Sequence, residues 1–166
     1  MVIESREAAA WAALAEVPDP EIPALSVVDL GVIRSVRFEG STLHVELLPT
    51  FVGCPAIEMM QAAIAERLRP LAEEVRVELS FAEAWSSDRI TAEGRERLRR
   101  SGFAPPPIGP LAGDGSLEEL TVLAVATCPY CGSRNTTLEN PFGPTLCRAI
   151  YHCADCRQPF EQFKPV

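Results

Sequence analysis

Apolar and polar residues alternate along this chain with two different periods. Residues 4–16, "ESREAAAWAALAE", place Ala8, Trp11, Ala12, Leu14 and Ala15 on a helical stripe, and "VPDPEIP" ends it because proline cannot continue a helix. The period then drops to two. In "GVIRSVRFEGSTLHVELLPT", Leu43, Val45 and Leu47 alternate with His44 and Glu46, and "EGS" joins two β-rich runs, which predicts a hairpin of about 31–38 and 42–49. His44 belongs to the polar side of that strand and is read as solvated. A second helix is expected over 54–70 from Ile57, Met60, Ile64 and Leu68, and a third strand from Val75, Val77, Leu79 and Phe81. "TAEGRERLRR" adds a short helix whose Arg95, Arg97, Arg99 and Arg100 read as a solvated face, stopped at Gly102.

The order helix, strand, strand, helix, strand implies an α+β class: a small mixed β-sheet covered by helices over residues 1–104. A Pro/Gly-rich linker follows at 105–117, and a separate module fills 118–166.

Composition narrows the chemistry. With 47% hydrophobic residues in 166, the chain has ample material for a packed core. The net charge of −8 disfavours nucleic acid and anionic membrane surfaces as partners. No apolar run approaches a membrane span, and the acidic start does not fit a signal peptide, so the cytoplasm is the expected compartment. There thiols stay reduced, and paired Cys-x-x-Cys motifs favour metal binding over disulfides.

Five of the six cysteines lie in "CPYCGSRNTTLENPFGPTLCRAIYHCADC". Cys128, Cys131, Cys153 and Cys156 form two Cys-x-x-Cys pairs with the spacing of a zinc ribbon, in which two tight turns aim four thiolates at one Zn²⁺. Four protein ligands close the tetrahedron, so such a zinc is structural. The same thiolates also suit an iron–sulfur cluster, and spacing does not separate the two. Cys147, in an apolar run, reads as a core residue, and His152 as surplus to a four-cysteine site.

Cys54 stands apart. "LLPTFVGCPAIEMM" runs from a strand into a helix with Cys54 as N-cap and Pro55 as first residue. There the helix dipole and unpaired N–H groups favour thiolate, so a lowered pKa is expected. The thiol is then either a ligand or nucleophile, or a small residue filling a tight turn. Thr50 and Asp29 are placed at the same edge of the sheet, giving a small pocket of Cys54, Asp29 and Thr50. No histidine is positioned as a general base.

"DPEIPALSVVDLGVI" and "PTFVGCPA" resemble the iron–sulfur assembly family that includes SufT. Together with "WSSDRITAEGRERLRRSGFAPP" and the cysteine-rich end, nearly the whole chain resembles the D components of the phenylacetyl-CoA epoxidase system. The resemblance implies an accessory factor of aerobic phenylacetate degradation without catalytic activity of its own. Its partners would be the oxygenase and reductase components, in which it would help mature a metal or iron–sulfur centre. It places the reactive, transiently iron- or cluster-binding cysteine on Cys54, with the acidic and hydroxyl positions on Asp29 and Thr50. The ribbon ligands fall on Cys128, Cys131, Cys153 and Cys156, and Cys147 also matches a family cysteine. Arg89 departs from the pattern, standing where an aromatic is more usual. The competing readings are a thiol-dependent redox enzyme using Cys54 and a purely structural oxygenase subunit.

Overall fold

Strands β1 (Ile33–Glu39) and β2 (Thr42–Leu47) form the expected hairpin, seen here in a computed structural model that describes residues 2–51, 53–109 and 125–165. They pair antiparallel from Ile33↔Leu47 to Glu39↔Thr42, and Gly40, at φ 64°, takes the left-handed conformation of the turn. Along β2, Leu43, Val45 and Leu47 are buried while His44 and Glu46 lie on the opposite face. Helix α1 spans Val2–Leu14 and helix α2 Ala56–Leu68. A short 3₁₀ turn, Arg69–Leu71, returns the chain to β3 (Glu74–Leu79), which pairs parallel with β2. The sheet order is β1-β2-β3, a mixed sheet whose parallel pair is joined by a helical crossover.

Helix α2 packs through the expected stripe of Ile57, Met60, Ile64 and Leu68, all buried. Each such aliphatic side chain taken from water contributes about 2 kcal/mol. Helix α1 differs from its sequence reading. Over residues 6–14, whose burial is described, Leu14 is buried as expected, but its buried companions are Ala10 and Ala13, while Trp11 remains 37% exposed. The helix is alanine-rich on every side, so pattern alone does not choose the face. Phe81 also departs from expectation: it lies beyond the end of β3 and is 69% exposed.

The chain divides into two compact units, Met1–Trp85 with Arg89–Gly94, and Ser86–Asp88 with Arg95–Val166. In the first, the segment after β3 straps the loop before β1. Trp85 Nε1 donates to the Leu30 carbonyl at 3.0 Å, Arg89 Nε to that of Gly31 at 2.8 Å, and the Thr91 amide to that of Asp29 at 2.9 Å. Gly31, at φ 65°, accepts this strap only because it lacks a side chain: a Cβ there would stand 2.3 Å from the Arg89 carbonyl oxygen. Arg89, the departure from the family pattern, is thereby a backbone clamp.

Helix α3 spans Ala92–Arg100, and its first turn is capped by Thr91, whose hydroxyl accepts from the Gly94 amide at 2.9 Å. Its arginines are not one solvated face. Arg99 and Arg100 pair with Glu96, but Arg95 is half-buried and donates to the carbonyls of Ser87 and Pro106, each at 2.6 Å.

The second unit holds a four-stranded sheet. Strands β4 (Phe103–Ala104), β5 (Thr136–Asn140), β6 (Arg148–Cys153) and β7 (Pro159–Phe163) lie in the order β4-β7-β6-β5. Because β4 pairs parallel with β7, residues 103 and 104 belong to this sheet, upstream of the linker expected at 105–117. From residue 110 that linker, and the first residues of the module expected at 118–166, lie outside the described residues. Buried Ala104, Ala126, Cys128, Ala149, Tyr151, Cys153 and Phe160 form the core. Tyr151 and Phe160 stack at 5.6 Å, a contact worth about 1 kcal/mol beyond its buried area. Among the described residues, no helix is long and apolar enough to cross a membrane.

Candidate metal and thiol sites

Two backbone turns bring four cysteines together. In the first, the Gly132 amide donates to the Cys128 carbonyl and the Cys128 amide to that of Ser133, both at 2.9 Å. In the second, the Cys153 amide donates to the Gln158 carbonyl at 3.0 Å while Arg157 takes a left-handed φ of 58°. Asp155 fastens the turns to each other: its carboxylate accepts from the Ser133 hydroxyl at 2.5 Å and the Asn135 amide group at 2.8 Å, and both bonds hold its pKa below the usual carboxylate value. As a result the sulfur atoms of Cys128, Cys131, Cys153 and Cys156 all lie within 4.8 Å of one another.

This donor set fits a single tetrahedral ion. Zn–S bonds of about 2.3 Å require sulfur atoms about 3.8 Å apart. The Cys128–Cys156 and Cys131–Cys153 separations are 3.7 and 3.6 Å. A polynuclear cluster spreads its thiolates wider. Backbone N–H groups of Cys156 and Asp155 hold the Cys153 thiol down to about 7, whereas its neighbour Cys156 is pushed up by burial. Four thiolates this close cannot all keep their charge without a cation among them. Cys147 lies outside the group: it is buried, 3.1 Å from the Thr145 hydroxyl. His152 is outside it as well.

Cys54 occupies the turn between β2 and α2. Gly53, at φ 85°, reverses the chain, and the Cys54 amide donates to the Phe51 carbonyl at 3.3 Å. The helix itself begins at Ala56 with Pro55 as its cap, one residue later than the sequence suggests, though Pro55 already has helical angles. The thiol is half-buried, and the backbone N–H groups of Ala56 and Ile57 act to lower its pKa, as the helix-start argument requires. Its pKa is nevertheless raised, which corrects the expectation of a lowered value. Burial is the largest cause, and the carboxylates of Glu21 and Asp19 add to it, together outweighing the two N–H groups.

Those two carboxylates escaped the sequence reading. Asp19 is buried and accepts from the amides of Glu21 and Ile22 at 2.9 and 2.6 Å, folding "VPDPEIP" into a turn. An aspartate two residues before a backbone donor in a proline-rich stretch signals such a turn, but not its long-range approach to Cys54. Asp29 is buried too. Its carboxylate accepts from the Ser26 amide and hydroxyl, each at 2.9 Å, and from the Thr91 hydroxyl at 3.5 Å. It is therefore tied to the strapped loop, and the acidic groups acting on Cys54 are Glu21 and Asp19. Thr50 is half-buried in the turn that leads to Cys54. Neither histidine is among the groups acting on the thiol; His44 stands on the sheet, 3.6 Å from Glu39.

A protein of Escherichia coli (strain K12), described as the D component of a 1,2-phenylacetyl-CoA epoxidase, is 41% identical over 157 residues, which cover 94% of this chain and 91% of that protein. The chain belongs to this family, PaaD. Its two parts match separate descriptions: the PaaD zinc beta ribbon domain over residues 113–164 and the iron-sulfur cluster assembly protein family over 7–79. A crystal structure of a DUF59 domain from Bacillus anthracis is 25% identical, with a TM-score of 0.55, over 59% of this chain and 95% of that one. This PaaD-family chain thus joins an assembly-type α+β fold to a zinc ribbon that has four cysteines placed for a metal ion.

Elemental analysis is expected to find one tightly held zinc per chain of this PaaD-family protein. Acidification releases it as the thiolates protonate. Folded protein with no metal and four free ribbon thiols would contradict this. For Cys54, alkylation of the zinc-loaded protein is expected to show a rate midpoint above the free-thiol value of about 8.5, moved downward by Glu21→Gln. A midpoint below that value would show that the helix start prevails.

Proposed function

We propose that this chain is an accessory factor of the phenylacetyl-CoA epoxidase system, assisting assembly of a metal or iron–sulfur centre in one of the oxygenase or reductase components, without turnover of its own. The observation that carries the reading is the setting of Cys54: a half-buried thiol at a helix start, under the electrostatic influence of the carboxylates of Glu21 and Asp19. Such a group rests protonated. An arriving iron ion or cluster, the cargo, displaces the proton and is attracted by the same carboxylates that disfavour free thiolate. Release follows when a recipient offers more thiolates. Asp29 serves as a positioning residue that fixes the strapped loop, and Thr50 shapes the turn leading to the thiol. Four cysteines satisfy the ribbon ion fully, which makes it a structural Zn²⁺.

Charge supports a basic recipient surface. The residues of the first unit include fifteen acidic and seven basic side chains, whereas those of the second include eight of each. The whole net charge of −8 therefore resides in the Cys54 unit. A raised thiol pKa with no partnering histidine weighs against a nucleophilic or redox enzyme.

Cys54→Ser is the direct test, since serine keeps the volume but is a poor iron ligand. The variant is expected to melt within about 2 °C of the native protein. In cells it is expected to abolish growth on phenylacetate and to lower the iron content of the epoxidase components. Fully loaded, active components would overturn the assembly reading and favour a structural role. Loaded but inactive components would favour a thiol enzyme.

A further inference from the structure

The ribbon sheet carries a second feature that zinc binding does not use. On β6, Ala149 and Tyr151 lie on the buried face, four and two residues before Cys153. The register of β7 sets Gln162 opposite Ala149, on that same face, where it is only 5% exposed. Glutamine is an unusual choice for a core position, because a buried amide left without a partner costs about 1–3 kcal/mol. The Gln162 amide is not sealed in, however: among the described residues the fully enclosed side-chain polar atom without a partner is the Ser35 hydroxyl. It faces instead a cavity of about 320 Å³ that Leu138, Phe142 and Tyr151 also line.

Among the described residues that line this cavity the charged one is Lys164, the chain's only lysine. Its ammonium donates to the Leu146 carbonyl at 2.9 Å and sits 5.4 Å from the centre of the Phe142 ring. An ammonium has three donors, so the carbonyl leaves others for an anion. Phe142 itself is largely exposed, an aromatic wall with an open face. The nearest carboxylate on β7, Glu161, belongs to the other face and is paired with Arg148 at 2.9 Å.

We infer that this cavity binds a small aromatic monocarboxylic acid, its ring against Phe142, Tyr151 and Leu138 and its carboxylate between the Lys164 ammonium and the Gln162 amide. The size lies at the small end of ligand pockets, roughly 300–1,000 Å³, and a largely apolar lining that includes Gln162 and Lys164 has their usual character. One cation suits one carboxylate. It does not suit the several phosphates of a coenzyme A thioester, which need more positive groups. The ligand class comes from the cavity alone; the choice of phenylacetate as probe rests on the proposed function.

The test titrates phenylacetate into zinc-loaded, full-length protein and follows backbone amide resonances. Saturable one-to-one shifts are expected around Gln162, Ala149 and Phe142. Phenylacetamide, which lacks the charge, is expected to bind about tenfold more weakly, as is phenylacetate to Lys164→Gln or Gln162→Leu, the loss of one charge-assisted hydrogen bond. Cys54→Ser is expected to leave the binding unchanged, which separates this site from the assembly reading. An absence of saturable shifts, shifts centred elsewhere, or equal affinity for the amide and in the Lys164→Gln protein would overturn the inference. None of these results bears on growth of the Cys54→Ser strain.

Discussion

Four sulfur atoms within 4.8 Å of one another are the constraint from which the C-terminal unit is built. Sulfur atoms so crowded either stay protonated, with nothing to hold them together, or share a cation that fixes all four at once. The two turns, the Asp155 bonds between them and the Tyr151–Phe160 stack all surround that cluster. Among the described residues the core beneath it has two cysteines among its seven buried members, so a bound metal ion would supply much of the folding free energy.

The N-terminal unit is the opposite case, a lone cysteine whose surroundings favour the protonated thiol. Cys54 receives N–H groups from a helix start, which alone would make it an acidic, reactive thiol. Burial and two carboxylates reverse the outcome. The same surroundings that suppress thiolate in the absence of a cation favour its formation when a cation arrives. That difference suits a carrier better than a nucleophile, which must be ionised before its substrate binds.

Much of this was legible in the sequence where a repeating constraint acts. Leu43, Val45 and Leu47 announce β2 because one face of a strand is buried, and Ile57, Met60, Ile64 and Leu68 announce α2 for the same reason at helical period. Two Cys-x-x-Cys pairs announce the ribbon because ligand geometry restricts spacing. Where contrast is weak the pattern fails in part: the alanine-rich α1 buries Leu14 as expected, but with Ala10 and Ala13 rather than Trp11. It fails too where the answer is a balance of long-range effects. Nothing local to "FVGCPA" reveals that Glu21 and Asp19 approach Cys54, so the sign of its pKa shift was unreadable. Asp29 was visible as a candidate and its bond to Ser26 is local, but its bond to Thr91 depends on a strap 62 residues away.

If this chain carries iron as proposed, the iron is expected at Cys54 and not in the ribbon. X-ray absorption at the iron edge, on protein first saturated with zinc and then given ferrous iron without oxygen, tests it most directly. The expected result is a first shell that mixes sulfur with oxygen neighbours and is lost in Cys54→Ser while zinc remains. An all-sulfur shell that survives Cys54→Ser and displaces zinc would contradict it.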